Sequence, residues 1–370
     1  MKKNWFKYGM LLTVFVVLSG CSATSGVSSE TDSSKAAGRT IVDISGTEME
    51  IPAIVESVAD GAAWHHEHVI TLGGGNKITA TNVTANARPW MFKIAPKLAN
   101  AAFAFDMSGT KINTEELLKA DPDIVFMTLG VDSLAQATTL GIPVIQVTDG
   151  GTVEGLKEEI RLTGFVLGAE EYKSAQAYVK YLDERAALIA SRVSDIKPED
   201  KPTVLHIANL DPLAVDGTDN IINEWIKLAG GVNVVDFAGM NKEVSIEQVM
   251  QWDPDIIIIG RILSNTSTSG TTVSNSSIDQ VFGNSNWSGL TAVKERRVYE
   301  NADGVFSWDR RAAEFVLQFQ WAAKLLYPEL FSDIDMVKEI KYYFNTFAHY
   351  SISDEDAQKM LTGQAPDLHE

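Results

Sequence analysis

Asn113-Thr-Glu-Glu-Leu-Leu-Lys-Ala-Asp-Pro-Asp-Ile-Val-Phe-Met127 and Ser245-Ile-Glu-Gln-Val-Met-Gln-Trp-Asp-Pro-Asp-Ile-Ile-Ile-Ile259 are two versions of one pattern. Each begins with a polar residue that can cap a helix, continues with amphipathic spacing, stops at Asp-Pro and ends in an apolar strand. Neighbouring solenoid repeats follow one another at about 20 to 50 residues, far closer than these two copies. The pattern therefore predicts two similarly built lobes, and a cleft between two lobes is a natural ligand site.

The N-terminal residues differ in composition from the rest of the chain. Lys2, Lys3 and Lys7 precede an apolar run over residues 10–18, which is typical of a secretory signal peptide. The only cysteine, Cys21, follows Leu-Ser-Gly, and these residues resemble the lipobox of bacterial lipoproteins. The resemblance implies that Cys21 is lipidated and becomes the new N-terminus. Without a second cysteine, no disulfide can form within the chain.

The segment that follows Cys21 and the overall charge restrict the functions to be considered. Residues 22–38 are rich in Ser, Thr, Ala and Gly and predict a flexible tether that holds the folded part near the membrane. The net charge is -18, which argues against nucleic acid as a partner.

Strand and helix patterns alternate on both sides of a helical stretch. Residues 40–52 alternate around Ser-Gly and predict a hairpin at the edge of the first lobe. Residues 152–196 have only a helical pattern, with a break expected near Gly164 or Gly168. The predicted fold is α/β, with two parallel sheets covered by helices, one long linker helix between the lobes and a ligand cleft between them.

The predictions divide the whole chain into segments. After the second lobe, residues 310–326 and 336–361 have helical patterns that predict closing helices. The predicted segments are a signal peptide (1–20), a lipidated flexible tether (21–39), an N-terminal α/β lobe (40–151), the linker helix (152–198), a C-terminal α/β lobe (199–308) and closing C-terminal helices (309–370).

An exported lipoprotein with two such lobes resembles the class III substrate-binding proteins of ABC importers, which serve ferric siderophores, heme, cobalamin and some metal complexes. The likeness is carried, in order, by residues 43–52, 115–125, 141–144, 229–233, 306–310 and 326–331. It implies a monomer that captures a metal chelate, with a ferric siderophore favoured, and delivers it to a permease and its ATPase. It also implies no catalysis, no intrinsic cofactor, and membrane contact through the lipid anchor alone.

The two copies of the opening pattern each carry a glutamate at the same place. In proteins that the chain resembles, one surface glutamate on each lobe docks onto arginines of the permease, and the matching positions are Glu115 and Glu247. An alternative interpretation is that both residues only favour the first turn of a helix through its dipole.

Ligands of open α/β sheets bind beyond the carboxyl ends of the strands, so the segments after the strands contain the candidate ligand contacts. Trp64-His65-His66-Glu67-His68 is the densest of these, and His65 and His66 are also candidate metal ligands. Consecutive helical residues point about 100° apart, so the three imidazoles cannot all bind one ion. His68 is the weaker candidate, and a polar helix face is the alternative.

The other candidate contacts are cationic, aromatic or amide side chains. Arginine can bind carboxylates, hydroxamates or oxyanions through paired hydrogen bonds, and an aromatic ring can stack on a chelate or instead belong to the core. An Asp309–Arg311 pair that caps a helix is a further alternative, and His206 is interpreted as a core histidine. The candidates are Arg88, Trp90, Asn209, Arg261, Trp308 and Arg310.

Several functions stay open at this point. Heme, cobalamin, a nickel or cobalt complex, and molybdate or tungstate are alternatives to a ferric siderophore. A membrane-anchored metallohydrolase would use the histidine cluster with Asp60 or Asp309, but the HExxH spacing of zinc proteases is missing because Ile70 stands at its last position. A lipoprotein that only senses its ligand is the third possibility.

Overall fold

The computed structural model describes residues 38–147, 151–260 and 277–367. The described residues all fall within one compact unit, Ala36–Glu370. Cys21, the predicted signal peptide and nearly all of the tether lie outside the described residues, as does Arg261. Within the described ranges, no helix is both long enough and apolar enough to cross a membrane.

The first lobe begins with the predicted hairpin, in which β1 (Arg39–Val42) pairs antiparallel with β2 (Glu48–Ile51). Its five-stranded sheet contains β3 (Val58–Asp60), β4 (Ile78–Thr81), β5 (Ala102–Phe103), β6 (Ile124–Thr128) and β7 (Val144–Val147). All pairs in this sheet are parallel, and the strand order is β5-β4-β3-β6-β7. The helices of the lobe are α1 (His65–Thr71), α2 (Pro89–Ile94), α3 (Thr114–Lys119) and α4 (Leu134–Thr138).

The predicted linker is two helices, α5 (Val153–Leu167) and α6 (Ala169–Val193). The break lies at Gly168, whose φ of 149° only glycine adopts readily. Gly164 has a different role, because a Cβ there would lie 2.7 Å from the Glu171 carbonyl oxygen and from Ala175. The absence of a side chain at Gly164 therefore lets the two helices pack closely, and α6 alone leads into the second lobe.

The second lobe has a mixed six-stranded sheet. Its strands are β8 (Thr203–Leu210), β9 (Leu213–Val215), β10 (Val232–Asn233), β11 (Lys242–Glu243), β12 (Ile256–Ile259) and β13 (Val298–Glu300). β8 pairs in parallel with β10 and β12, and β12 with β13, whereas β9 pairs antiparallel with β8 and β11. The sequence patterns did not predict this antiparallel edge. The helices are α7 (Ile221–Leu228), α8 (Ile246–Trp252), α9 (Ser277–Gly283) and α10 (Thr291–Lys294).

The two copies of the opening pattern occupy equivalent places. The first forms α3 and β6, and the second forms α8 and β12. The Asn113 side chain accepts a hydrogen bond from Glu116 N at 3.2 Å, and Ser245 accepts one from Gln248 N at the same distance. β6 lies beside the central strand β3 and inside β7, as β12 lies beside β8 and inside β13. The prediction of two similarly built lobes is confirmed.

The closing helices begin later than the pattern indicated. Residues 303–314 are irregular, and the first closing helix is α11 (Phe315–Leu326). The Glu314 carboxylate accepts hydrogen bonds from the backbone N–H groups of Val305 (3.2 Å) and Phe306 (3.0 Å), which folds this segment back on itself. The predicted helix over 336–361 is also two helices, α12 (Met336–Thr346) and α13 (Asp354–Leu361).

The closing helices connect both lobes. α11 packs against α7 of the second lobe, whereas the Tyr343 hydroxyl of α12 lies 2.8 Å from Thr71 Oγ1 in α1 of the first lobe. One hydrophobic cluster accordingly contains side chains from both lobes, α5, α6 and the closing helices. The lobes are thus held together by much more than the linker, which limits the motion that the fold allows between them.

Candidate ligand site between the lobes

Asp60 ends strand β3, and α1 begins five residues later, so the first histidine of α1 reaches back to this carboxylate. His65 Nδ1 lies 2.8 Å from Asp60 Oδ2, and His65 Nε2 lies 2.9 Å from Thr163 Oγ1 of α5. Asp60 and His65 are both fully buried. Burial alone would raise the pKa of Asp60, but the neighbouring imidazoles His66 and His65 hold it below its ordinary value. The carboxylate therefore fixes the orientation of the His65 ring.

His66 lies near the same carboxylate, with its Nδ1 3.5 Å from Asp60 Oδ2, but its hydrogen bonds go elsewhere. Its Nδ1 lies 2.9 Å from the Ala62 carbonyl oxygen, and its Nε2 lies 2.7 Å from Thr81 Oγ1 at the end of β4. Burial lowers the pKa of His66, although Asp60 opposes that effect. The hydrogen bonds of the two histidines thus differ, although the Asp60 carboxylate lies near both rings. The interpretation of α1 as a polar solvent-facing helix does not apply because every residue of α1 is buried.

His68 shares the face of α1 that His65 occupies, because residues three apart are neighbours on a helix. Its Nδ1 lies 3.9 Å from Glu159 Oε1, and Arg311 Nη2 lies 2.5 Å from Glu159 Oε2. The half-buried Trp64 ring meets the rings of His65 and His68 edge-on at 5.6 and 5.4 Å between centroids. Burial, together with the charges of His65 and Arg311, lowers the pKa of His68 well below its ordinary value. His68 is therefore neutral at physiological pH.

The Arg88 side chain extends from the first lobe and contacts residues of the second lobe. Its Nη1 donates a hydrogen bond to Ser307 Oγ at 3.2 Å, and its Cζ lies 3.9 Å from the centroid of the Phe306 ring. Arg88 is only 8% exposed, and burial lowers its pKa to about 10. At neutral pH the guanidinium is therefore still charged.

His206 anchors the second-lobe side of the site. Its Nδ1 lies 2.8 Å from Asp216 Oδ2, and its Nε2 lies 3.1 Å from Asp309 Oδ2. Burial opposes protonation, but the hydrogen bonds to the two aspartates raise the pKa of His206. Arg310 lies 3.7 Å from the Asp216 carboxylate and 3.6 Å from the Asp309 carboxylate, and its side chain is 29% exposed. The predicted core histidine is therefore part of a buried charged group.

Two guanidinium groups and two carboxylates lie between the lobes. The guanidinium groups of Arg88 and Arg310 are close enough that Arg310 lowers the pKa of Arg88. Asp216 and Asp309 have lowered pKa values and stay ionised, although burial opposes this for both. The groups that Arg88 contacts, Ser307 and Phe306, are both neutral. This arrangement suits an anion.

A second contact between the lobes involves two carboxyl groups. Glu67 Oε1 accepts hydrogen bonds from Glu314 N at 2.5 Å and from the Tyr343 hydroxyl at 3.1 Å. Both glutamates are fully buried. Burial raises the pKa of Glu67 to about 8, and burial together with the proximity of the two acids raises that of Glu314 well above its ordinary value. At neutral pH Glu67 therefore keeps its proton.

The structure brings only some of the predicted ligand residues to this place. Trp90 and Trp308 have no exposed surface, and Trp90 Nε1 donates to the Gln364 carbonyl oxygen at 2.9 Å, so both rings belong to the core. Asn209 is half-buried at the β8–β9 hairpin and donates to the Asp211 carbonyl oxygen at 2.9 Å. Arg311 pairs with Glu159, and the alternative of an Asp309–Arg311 helix cap is wrong because α11 begins at Phe315.

Sequence reasoning missed several participants. Ser307 lay inside a segment used for the family resemblance, but a lone serine carries no signal of its own. Glu159 and Thr163 lie in an ordinary amphipathic helix, and nothing local shows that they face α1. Asp216 directly follows β9, a strand that the sequence patterns did not predict, and a polar residue after a strand is unremarkable. Each of these residues meets its partner through packing of elements distant in the chain.

Glu115 and Glu247 are both exposed, and each is the second residue of its helix after the cap. The helices α3 and α8 run into the strands β6 and β12, so their first turns point toward the carboxyl edges of the two sheets. A backbone N–H and the Ser245 side chain lower the pKa of Glu247. The two carboxylates therefore occupy corresponding surface positions of the two lobes.

Two α/β lobes, joined by helices and enclosing a charged site beyond the strand ends, define a helix-linked solute-binding protein. The family model described as "Periplasmic binding protein" matches residues 95–303. The chain belongs to this family, and the predicted class III fold is confirmed.

The sequence identity between this chain and individual relatives is low. The molybdate-binding protein MolA of Haemophilus influenzae is 26% identical over 291 residues, which are 72% of this chain and 78% of MolA. The Fe(3+)-citrate-binding protein YfmC of Bacillus subtilis is 23% identical over 306 residues, 79% of this chain and 87% of YfmC. The crystal structure of a periplasmic solute-binding protein from Veillonella parvula matches with a TM-score of 0.74 and 26% identity, over 88% of this chain and 97% of that one.

Proposed function

We propose that this protein is the extracytoplasmic substrate-binding component of an ABC importer, attached to the membrane through lipidated Cys21 and active as a monomer. Its cargo is a small anionic metal species, with an oxyanion of the molybdate class favoured. The observation that carries the ligand class is the approach of Arg88 and Arg310 from opposite lobes, with Arg88 hydrogen-bonded to the neutral Ser307 hydroxyl. The family supports a role in binding without catalysis, in place of the metallohydrolase alternative.

The size of the cargo is argued from burial. Arg88 is 8% exposed and already contacts Ser307 and Phe306 of the other lobe. A compact tetrahedral anion needs only a small displacement of these contacts to accept hydrogen bonds from the guanidinium groups and Ser307. The aromatic rings Trp90 and Trp308, which would stack on a large chelate, are enclosed in the core. MolA, which is named for molybdate binding, supports the same ligand class.

A ferric chelate, which the sequence favoured, is the second candidate. It too is commonly anionic, so the same arginines would bind it. YfmC, named for binding ferric citrate, supports this candidate and is matched along more of its length than MolA.

Isothermal titration calorimetry on the purified protein tests the proposal. The ligands are molybdate, tungstate, ferric citrate, a ferric siderophore, heme, cobalamin and nickel-histidine. Arg88→Gln should weaken binding by about 30-fold or more, because a buried charged hydrogen-bond donor is lost. Arg296→Gln is the matched control, since Arg296 also stacks on a phenylalanine ring, Phe282 at 5.2 Å, but away from the site.

The outcomes separate the candidates. Binding of molybdate or tungstate that depends on Arg88 supports the oxyanion, whereas ferric citrate or siderophore binding without oxyanion binding establishes the second candidate. Binding of heme, cobalamin or nickel-histidine alone, or no binding at all, contradicts the proposed ligand class.

Docking to the permease is proposed for Glu115 and Glu247. Reversing both charges (Glu115→Lys with Glu247→Lys) should abolish uptake of the cargo by cells and leave the affinity of the purified protein unchanged. Glu170→Lys is the matched control, because Glu170 is also an exposed second residue of a helix, α6. Uptake lost equally in the control would indicate that only the helix dipole matters.

A further inference from the structure

A group of three buried side chains lies beside the interlobe site and plays no part in the proposed anion binding. His65 and His68 of α1 and Glu159 of α5 each offer a ligand atom, and these three atoms lie within 4.8 Å of one another. All three residues have no exposed surface. The spacing of the two histidines, three residues apart, places both rings on one face of α1. Their ring centroids are 5.4 Å apart.

His68 is the residue whose environment calls for a ligand. Among the residues that the structure describes, neither ring nitrogen of His68 has a hydrogen-bond partner. A buried polar group without a partner is unfavourable, and nearly all such groups in folded proteins are satisfied. A metal ion bound to one nitrogen would remove the penalty for that nitrogen and use the lone pair that the fold leaves unused.

The neighbours of the other two residues orient them as ligands. Asp60 Oδ2 holds His65 Nδ1 at 2.8 Å, which directs Nε2 toward α5. A carboxylate on the far nitrogen of a metal-binding histidine is the usual arrangement in such sites. Arg311 Nη2 lies 2.5 Å from Glu159 Oε2 and leaves Oε1 as the oxygen nearer to His68, at 3.9 Å.

We propose that His65 Nε2, His68 and Glu159 Oε1 form a site for one divalent transition metal, with zinc as the best match. Two imidazoles and one carboxylate are ligands that Zn²⁺ favours, and hard cations such as Mg²⁺ and Ca²⁺ prefer oxygen alone. Thr163 Oγ1, 2.9 Å from His65 Nε2, is the group that the ion would displace. The half-buried Trp64 ring contacts both histidine rings and is therefore close to the proposed ion.

The site would have a structural role distinct from cargo binding. It joins α1 to α5, and Arg311 extends the contact to residues 303–314, which follow the last strand of the second lobe. The bound ion would stabilise the contact between the lobes without touching Arg88 or Arg310. The site therefore exists whether or not the proposed cargo is correct.

The experiment measures zinc on purified protein that has been stripped with a chelator and contains no oxyanion. We expect one Zn²⁺ per chain in equilibrium dialysis with elemental analysis. His68→Gln and Glu159→Gln should each weaken binding by more than about 100-fold, since even indirect partners of a ligand cost about 10- to 100-fold. His349→Asn is the control, because His349 is an exposed histidine far along the chain that should leave the stoichiometry unchanged.

A second measurement on the unaltered chain covers the case in which these variants fail to fold. Co²⁺ added to the stripped protein should give the intense visible absorption of four-coordinate cobalt and quench the fluorescence of Trp64. The quenching should disappear in Trp64→Phe. No bound zinc, zinc binding undiminished in His68→Gln, or the weak spectrum of hydrated Co²⁺ would each overturn the proposal. Oxyanion titration of the same samples tests the cargo separately.

Discussion

Replacing Glu67 by glutamine should make the stability of this protein much less sensitive to pH. Glu67 lies between the lobes, where its carboxyl accepts hydrogen bonds from Glu314 N and the Tyr343 hydroxyl. Burial raises its pKa from 4.5 to about 8, against the lowering effect of these hydrogen bonds. Between about pH 4.5 and pH 8 the Glu67 carboxyl is therefore neutral in the folded protein and ionised in the unfolded chain.

The sign of the effect follows from proton binding. Between about pH 4.5 and pH 8 the folded state holds a proton that the unfolded state has released. The free energy of unfolding therefore falls as the pH rises, by about 1.4 kcal/mol per pH unit for one such group. The stabilisation is fully present below pH 4.5 and is lost as the pH rises through about 8. From pH 5 to pH 8 the loss amounts to about 4 kcal/mol.

Glu67→Gln removes this titration but keeps a carbonyl oxygen that can accept the same hydrogen bonds. Its amide NH₂ group adds a buried donor, which costs about 1 to 3 kcal/mol at every pH. Urea unfolding followed by circular dichroism at pH 5, 6, 7 and 8 gives the free energy of unfolding of both proteins. We expect the free energy of unfolding of the variant, minus that of the unaltered protein, to rise by about 4 kcal/mol from pH 5 to pH 8.

The control is Glu170→Gln, at the exposed start of α6. It removes a carboxylate without touching the contact between the lobes. A stability difference between Glu67→Gln and the unaltered protein that stays constant from pH 5 to pH 8 would refute the reasoning, because Glu67 would then titrate alike in both states. A variant that loses stability relative to the unaltered protein as the pH rises would show the opposite sign.

Three further predictions concern other parts of the chain. Gly109→Ala should lower the free energy of unfolding by roughly 3 to 5 kcal/mol in urea denaturation, since its Cβ would lie 2.2 Å from the Gly61 carbonyl oxygen at a φ of 70°. Gly46→Ala, with a φ of 82° and open space, should cost only about 1 to 2 kcal/mol, and equal losses would contradict the steric argument. His206→Gln should destabilise by about 3 to 5 kcal/mol at pH 6, because Asp216 and Asp309 lose the imidazolium that contacts both and keep only the more distant Arg310. Its pKa is raised above 6.5, so this loss should diminish as the pH rises through the folded value, and a pH-independent loss would count against it. Cys21→Ser should move the protein from the membrane fraction to the soluble fraction, and retention on the membrane would exclude a lipid anchor at that residue.

Local patterns were enough to predict most of the secondary structure. Asn113 and Ser245 cap their helices as expected, and the apolar runs after each Asp-Pro form buried strands at equivalent places. These elements depend on residues that are neighbours in the chain, so the sequence displays their causes directly. The antiparallel strands β9 and β11 were missed because each is short and its pairing depends on contacts outside its own segment.

The candidate site was predictable only in part. The segments after the strands indicated Arg88, Arg310 and the histidines of α1, because parallel strands must place their carboxyl ends at one edge. The burial of Trp90 and Trp308 depends on how the closing helices pack, and the local sequence around each tryptophan does not indicate that packing.

The sequence by itself determined that the chain folds as two related α/β lobes with glutamates at matching helix starts, since periodicity and capping act over a few residues. Only the tertiary structure decided which charges meet. Arg88 contacts Ser307, Glu67 contacts Glu314, and Glu159 contacts Arg311, each across more than a hundred residues of chain. Such pairs arise where separately folded surfaces come together, and there the burial of each group sets its charge.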